Sequence, residues 1–117
     1  MENVKKDIEH SFKGREGSNF IFEIKEDFIA FKGHFPQIAL LPGVVQIEIA
    51  LFCAKKLLND DTLELSEVIK GKFVKPVRPG TKLFVFAESE GNKFKISIKD
   101  KNELYSQIQF TVEPHAI

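Results

Sequence analysis

Gly33-His34-Phe35-Pro36-Gln37-Ile38-Ala39-Leu40-Leu41-Pro42-Gly43-Val44-Val45-Gln46-Ile47-Glu48, running on into Ile49-Ala50-Leu51-Phe52-Cys53-Ala54-Lys55-Lys56-Leu57-Leu58, joins a histidine, a Pro- and Gly-rich turn and a nearly all-apolar helix. Proline fixes its own φ and disfavours the α region for Leu41, so the helix is predicted to start just after Pro42 and Gly43 and to run to about Leu58. Its apolar residues, from Val44 and Val45 through Ile47, Ile49, Leu51 and Phe52 to Leu57 and Leu58, leave no wide polar face. That pattern predicts a helix buried on most sides. Too short to span a bilayer, it must be wrapped by protein. One carboxylate, Glu48, falls within its first turns, where burial of an unpaired charge is costly enough to need a reason.

The chain has 117 residues, 43% apolar and 29% charged, which suits one soluble globular domain with a single core. Its 17 basic and 17 acidic side chains cancel, so no electrostatic argument favours nucleic acid or an anionic membrane as partner. Cys53 is the only cysteine and cannot form an intramolecular disulfide. With no charged-then-apolar leader at the start, a reducing, cytoplasmic setting is expected. Twelve Phe against no Trp suit a deep apolar interior, as they would any small β-rich core.

In chain order, Val4, Ile8 and Phe12 recur every four residues and predict a short amphipathic helix over 2–12. Gly14 to Ser18 reads as a turn. Phe20, Phe22 and Ile24 then alternate with Ile21, Glu23 and Lys25 as a half-buried strand, and a second short strand is expected from Phe28 to Phe31. After the helix, Asn59-Asp60-Asp61 form a polar stop, and Leu65 to Val77 reads as a long strand with an irregularity near Gly71. Lys82 to Glu90, then Phe94, Ile96 and Ile98, make a hairpin about Glu90-Gly91-Asn92. Leu104, Ile108, Phe110 and Val112 mark a last strand ending at Pro114. The sum is an α+β chain in which an antiparallel sheet of about six strands curls around one long helix. One sheet covers only part of such a helix, so a second subunit is expected to close the rest.

Gly33-His34-Phe35-Pro36, Pro42-Gly43-Val44 and Glu48 resemble the hotdog-fold 3-hydroxyacyl-[acyl-carrier-protein] dehydratases, whose signature places an acidic residue fourteen positions after the histidine, as Glu48 follows His34 here. Lys72-Phe73-Val74-Lys75-Pro76-Val77-Arg78-Pro79-Gly80-Thr81-Lys82-Leu83 resembles the strand and Pro-Gly turn that follow the central helix in that family. The chain departs from the family at Gln37, where Gly is common, at Ala39, where Pro is common, and at Phe52, where Gln is common. Residues four apart share a helix face, so Phe52 is expected to adjoin Glu48. In length the chain is more similar to the compact members that accompany specialised lipid, polyketide or aryl-polyene assembly. The resemblance implies an acyl carrier protein bearing the substrate, no cofactor and no metal. It also implies a homodimer, or an assembly of such dimers, with sites shared between subunits.

The chemistry so implied needs a base for the C2 proton, an acid for the departing hydroxyl, and a donor for the charge forming on the thioester oxygen. His34, Glu48 and the Gly43 amide fit these three roles. Neutral imidazole is a suitable base near neutrality. A glutamate surrounded by apolar side chains is expected to hold a proton and pass it to the leaving oxygen. The Gly43 and Val44 amides at the helix start lack intrahelical acceptors and carry the positive end of the helix dipole, and Gly43 is expected to let substrate approach closely. Phe35 and Phe52 complete the expected substrate-contacting set.

Each residue also has a plainer reading. A lone histidine between Gly and Phe-Pro is by default a turn residue, and only the spacing to Glu48 reverses that preference. Glu48 is alternatively the one helix position that reaches solvent, a reading that neighbouring Gln46 keeps alive. Cys53 is expected to be packing, since an apolar helix disfavours thiolate. His10 and His115 lie in peripheral segments. Lys72, Lys75 and Arg78, with Lys70 and Lys82, read as the wet face of a strand and turn or as a dock for an acidic carrier protein. No ligand pair has convincing metal spacing, and no phosphate-binding Gly loop is present. Two other functions stay open: thioester hydrolysis with Glu48 activating water, and a non-catalytic subunit that shapes a partner's acyl tunnel.

Overall fold

The computed structural model describes residues 2–32 and 39–114. Helix α1 (Glu2–Ser11) leads into β1 (Phe12–Glu16) and β2 (Asn19–Ile24), then a 3-10 turn (Ile29–Phe31), helix α2 (Gly43–Leu58), and strands β3 (Leu63–Phe73), β4 (Thr81–Glu90), β5 (Lys93–Lys99) and β6 (Leu104–Pro114). The six strands form one sheet in the order β1-β2-β4-β5-β6-β3, and every neighbouring pair is antiparallel. This is the expected α+β arrangement, a sheet wrapped on a central helix.

Register explains how the sheet grips α2. Residues directly opposite each other in a ladder point to the same face. Phe22 pairs with Leu83, Val85 with Ile98, Ile96 with Ile108, and Phe94 with Phe110, and all of these are buried. Against this face α2 packs Val45, Ile49, Ala50, Cys53 and Ala54, all buried. The helix ends on Asn59, whose own N–H reaches the carbonyls of Lys55 and Lys56 and whose left-handed conformation lets the Asp60 N–H return to the Lys55 carbonyl at 2.9 Å. Arg15 of β1 donates to the Lys56 carbonyl at 3.3 Å, placing a cation at the negative end of the helix dipole.

Two expectations are corrected. The segment read as a turn from Gly14 to Ser18 belongs largely to β1, an edge strand whose bulge falls between Phe12 and Gly14, and the reversal itself is confined to Gly17 and Ser18. Gly17 takes a positive φ of 60° there, as a tight turn requires. The segment read as a strand over 28–31 is instead the 3-10 turn. Phe31 N–H donates to the Phe28 carbonyl at 2.9 Å, and Asp7 of α1 accepts from the Ile29 N–H at 2.6 Å. That carboxylate satisfies an N–H at the start of the turn and ties α1 to it.

Strand β3 is longer in expectation than in fact. It stops at Phe73, and its two register shifts fall between Leu65 and Glu67 and between Val68 and Lys70, just before Gly71. Leu65 and Val68 face the same side as their buried partners Val112 and Phe110, yet both are exposed. The helix-bearing face of the sheet therefore continues, uncovered, onto an edge strand.

Candidate active site at the start of the central helix

Helix α2 begins where the sequence places it. Pro42 is the N-cap, and its carbonyl accepts from the N–H groups of Val45 and Gln46, 3.1 Å each. The amides of Gly43 and Val44 precede these and have no acceptor among the described residues. Val44 is 56% exposed, so this end of the helix opens outward.

Glu48 lies five residues on, roughly 7 Å farther along the axis. It is half-buried and lines a groove of about 500 Å³ between α1 and α2. The apolar part of the lining is Ile8, Phe12, Leu51 and Phe52, and the charged part is Lys5, Glu9, Lys55, Lys56 and Asp61. An adjoining hollow of about 600 Å³ shares Lys5, Glu48, Leu51, Lys55 and Asp61 and extends to Leu63 and Leu65 on β3. Glu48 thus stands where the two hollows meet. Its surroundings are not purely apolar, as expected from the helix sequence, because lysines on both helices ring the groove. Among the described residues none forms an ion pair with it.

Phe52 lines the same groove as Glu48, as the four-residue spacing predicts. Its ring meets Phe12 edge-on at 5.2 Å and Phe22 at 5.7 Å, and the Lys56 ammonium lies 5.4 Å from its centroid. The apolar substitution thereby anchors the groove wall to β1 and β2 through offset aromatic contacts.

The surroundings of Gly43 leave no room for a side chain. A β-carbon built on it would lie 3.1 Å from one atom of the Phe73 ring and 3.2 Å from another. The space that a side chain would fill belongs to Phe73 at the end of β3, so the missing side chain admits that neighbouring ring.

Gln46 overturns the reading that made it a sign of a solvated helix face. It is only 3% exposed, donates to the Leu41 carbonyl at 3.1 Å, and accepts from the Ser106 hydroxyl at 2.6 Å. Sequence reasoning missed Gln46, Ser106 and Phe73 as contributors to this end of the helix. A polar residue inside an otherwise apolar helix was the available signal for Gln46; nothing in the sequence pairs it with a serine sixty positions away.

Of the remaining candidates, His34, Phe35 and His115 lie outside the described residues. Cys53 is buried, and burial pushes its thiol pKa up, consistent with packing. His10 is exposed in the last turn of α1. Lys72, Lys75 and Arg78 are all exposed, with Lys75 ion-paired to Glu103. Among the described residues no three His, Cys, Asp or Glu side chains are grouped to hold a metal, and no helix is long and apolar enough to cross a membrane.

Comparison with known proteins places this arrangement. The family model described as ApeI-like, ApeI dehydratase, matches residues 10–109. The chain is 34% identical over 102 residues to the 3-hydroxyacyl-[acyl-carrier-protein] dehydratase FabZ of Erythrobacter litoralis, covering 75% of this chain and 66% of that protein. It is 38% identical over 81 residues to the FabZ of Petrotoga mobilis, covering 62% and 57%. The chain therefore spans less than two thirds of the length of these curated relatives. Among solved structures it is similar to the dehydratase heterocomplex ApeI:P from Xenorhabdus doucetiae, with a TM-score of 0.69 and 24% identity over 86% of this chain and 91% of the other. It is also similar to a putative thioesterase from Shewanella oneidensis, with a TM-score of 0.61 and 9% identity over 99% and 100%. At these identities the two structures establish the fold, which is the hotdog.

Proposed function

This chain belongs to the ApeI-like dehydratase family, and from that premise we propose that it removes water from a 3-hydroxyacyl thioester carried on acyl carrier protein, giving the trans-2-enoyl thioester. His34 takes the C2 proton, and the electron pair of that C–H bond moves toward the thioester carbonyl. The charge on the carbonyl oxygen is met by the Gly43 and Val44 amides at the positive end of α2. Glu48 gives its proton to the C3 hydroxyl as the C–O bond breaks. The electron pair returns to form the C2–C3 double bond, and water leaves. His34 then holds one proton and Glu48 has lost one, so a transfer between them, direct or through water, resets the site.

The observation that carries this reading is the placement of Glu48: it opens into a half-apolar groove on the same helix whose first two amides have no acceptor among the described residues. Family membership supports the chemistry, and this juxtaposition supports an acid and an oxyanion-binding pair for it. The whole chain, 1–117, forms one such domain in this reading. The substrate arrives on a flexible phosphopantetheine arm, with Lys72, Lys75 and Arg78 available to an acidic carrier.

The uncovered sheet edge supports assembly into a homodimer. Leu65, Val68, Ile69, Phe73 and Val74 are exposed on or just beyond β3, the last strand of the sheet, and Val44 and Leu58 are exposed on α2. The backbone of an edge strand beside exposed apolar side chains invites pairing with a second copy. A homodimer joined along β3 covers them, with His34 of one subunit serving Glu48 of the other.

The purified chain should be incubated with 3-hydroxyacyl carrier protein and, separately, with its enoyl counterpart. Reversible loss and gain of water supports the dehydratase. Release of free acid points to hydrolysis, and no reaction points to a non-catalytic subunit; either result overturns it.

A further inference from the structure

The core of this protein is apolar with few exceptions: among the described residues the buried polar side chains are Ser11, Gln46 and Ser106. Ser11 closes onto its own helix by donating to the Asp7 carbonyl. Gln46 and Ser106 instead bond each other across the interface between α2 and β6. Burying two polar groups in an apolar core is tolerated only when each is satisfied, and both are. An apolar pair would fill the same space without that requirement, so the polar pair needs a purpose that packing alone does not supply.

The chain of contacts shows what is being held. Ser106 donates to Gln46 Oε1 at 2.6 Å, and Gln46 Nε2 donates to the Leu41 carbonyl at 3.1 Å. The Leu41 N–H in turn donates to the Val77 carbonyl at 2.7 Å. Leu41 is thus pinned on both sides of its backbone. Its carbonyl belongs to the peptide plane shared with Pro42, whose ring holds φ at −60°. The next plane carries the Pro42 carbonyl and the Gly43 N–H on opposite edges, and that carbonyl is fixed by the N–H groups of Val45 and Gln46. Each link removes a rotation between the rigid sheet and the Gly43 amide.

We propose that Gln46, held by Ser106, is the positioning residue that aims the Gly43 amide at the thioester oxygen. The proposal rests on the dehydratase reading, since the aim matters only if that amide meets developing charge. A donor that serves mainly in the transition state must be in place beforehand, and losing such a donor altogether costs about a hundredfold or more in turnover. Loosening its aim should cost less.

Gln46→Met keeps length and bulk while removing both hydrogen bonds, and Ser106→Ala removes one oxygen and serves if the first variant does not fold. In each, kcat is expected to fall about tenfold with KM changed less than about twofold, the signature of an interaction made in the transition state. The double variant should lose no more than the worse single, because the two act as one unit. The order parameter of the Gly43 N–H vector, read by NMR relaxation, should fall in both. A folded Ser106→Ala variant with wild-type kcat and an unaltered Gly43 order parameter overturns the clamp while leaving the dehydratase intact. A wild-type protein that turns over neither the hydroxyacyl nor the enoyl thioester sinks the dehydratase reading itself, and with it the purpose assigned to Gln46.

Discussion

The ring of Phe73 lies over Gly43, near enough that a β-carbon there would stand 3.1 Å from it. Phe73 is paired with Ser106 in the β3–β6 ladder, and Ser106 bonds Gln46. The end of the sheet therefore reaches the helix start by two routes, one apolar through Phe73 and one polar through Ser106.

Gly43→Ala should consequently be penalised through Phe73. Alanine at the first helical position is otherwise favoured over glycine, by up to about 1 kcal/mol. Crowding the ring should reverse that sign, at a cost of about 1 kcal/mol. In a Phe73→Leu background G43A should be neutral or stabilising, a coupling of at least about 0.5 kcal/mol by urea denaturation of the four proteins. Strictly additive effects would show that the ring moves aside freely.

The proton-transfer assignment predicts that His34→Ala and Glu48→Gln each lower turnover by at least about a hundredfold in folded protein. Circular dichroism checks the fold, and enoyl formation checks the rate. Near-normal activity in either variant removes that residue from the mechanism.

Tyr105 and Asp100 give a pH-dependent element away from the site. The Tyr105 hydroxyl donates to Asp100 Oδ2 at 2.7 Å, and Asp100 Oδ1 accepts from the Asn102 and Glu103 N–H groups. Burial first, and then the Asp100 bond, push the Tyr105 phenol up to about 12. The Tyr105 bond first, and then the backbone donors, hold the Asp100 carboxyl below its usual range. A raised tyrosine stabilises the fold below its ordinary value near 10, and that stability is lost between about 10 and 12. A depressed aspartate stabilises above its ordinary value, and that stability is lost as pH falls through the lowered one. Tyr105 is the only tyrosine in the chain, so phenolate absorbance reports it alone. Its midpoint should lie near 12, and Tyr105→Phe should lower Tm by a few degrees at neutral pH while abolishing the alkaline loss. A midpoint near 10 would contradict the bond.

Much of this was legible because apolar periodicity is a strong signal where one face is buried. Phe20, Phe22 and Ile24, or Phe94, Ile96 and Ile98, alternate as their burial does. The apolar run after Pro42 gave α2 to within about a residue at each end. Strand β1 was not legible: Phe-Lys-Gly-Arg-Glu lies on an edge with half of its neighbours missing, so nothing forces alternation on it. The 28–31 segment failed for another reason. Four residues are too few to separate a strand from a 3-10 turn, and the deciding bond comes from Asp7, twenty-two positions away. The roles proposed for His34 and Glu48 were suggested by their spacing, whereas Gln46, Phe73 and Ser106 depend on contacts between distant segments that no local pattern encodes.

Assembly and catalysis should fail together if each site draws on two subunits. Val68→Lys puts a charge on the uncovered face of β3, where Val68 is 41% exposed in the single chain, so it should leave the fold intact and abolish self-association. Sedimentation should show a monomer, and turnover should fall with it. The sharper test mixes variants. His34→Ala and Glu48→Gln subunits each lack one group at every site of their own homodimers. A mixed dimer, however, has one site with both groups missing and one with both present. Subunit exchange between the two inactive proteins should therefore restore up to about half of the wild-type sites in each mixed dimer. Activity that does not rise after mass spectrometry has verified exchange would place both groups of a site in the same chain, as would a wild-type protein that is active as a monomer.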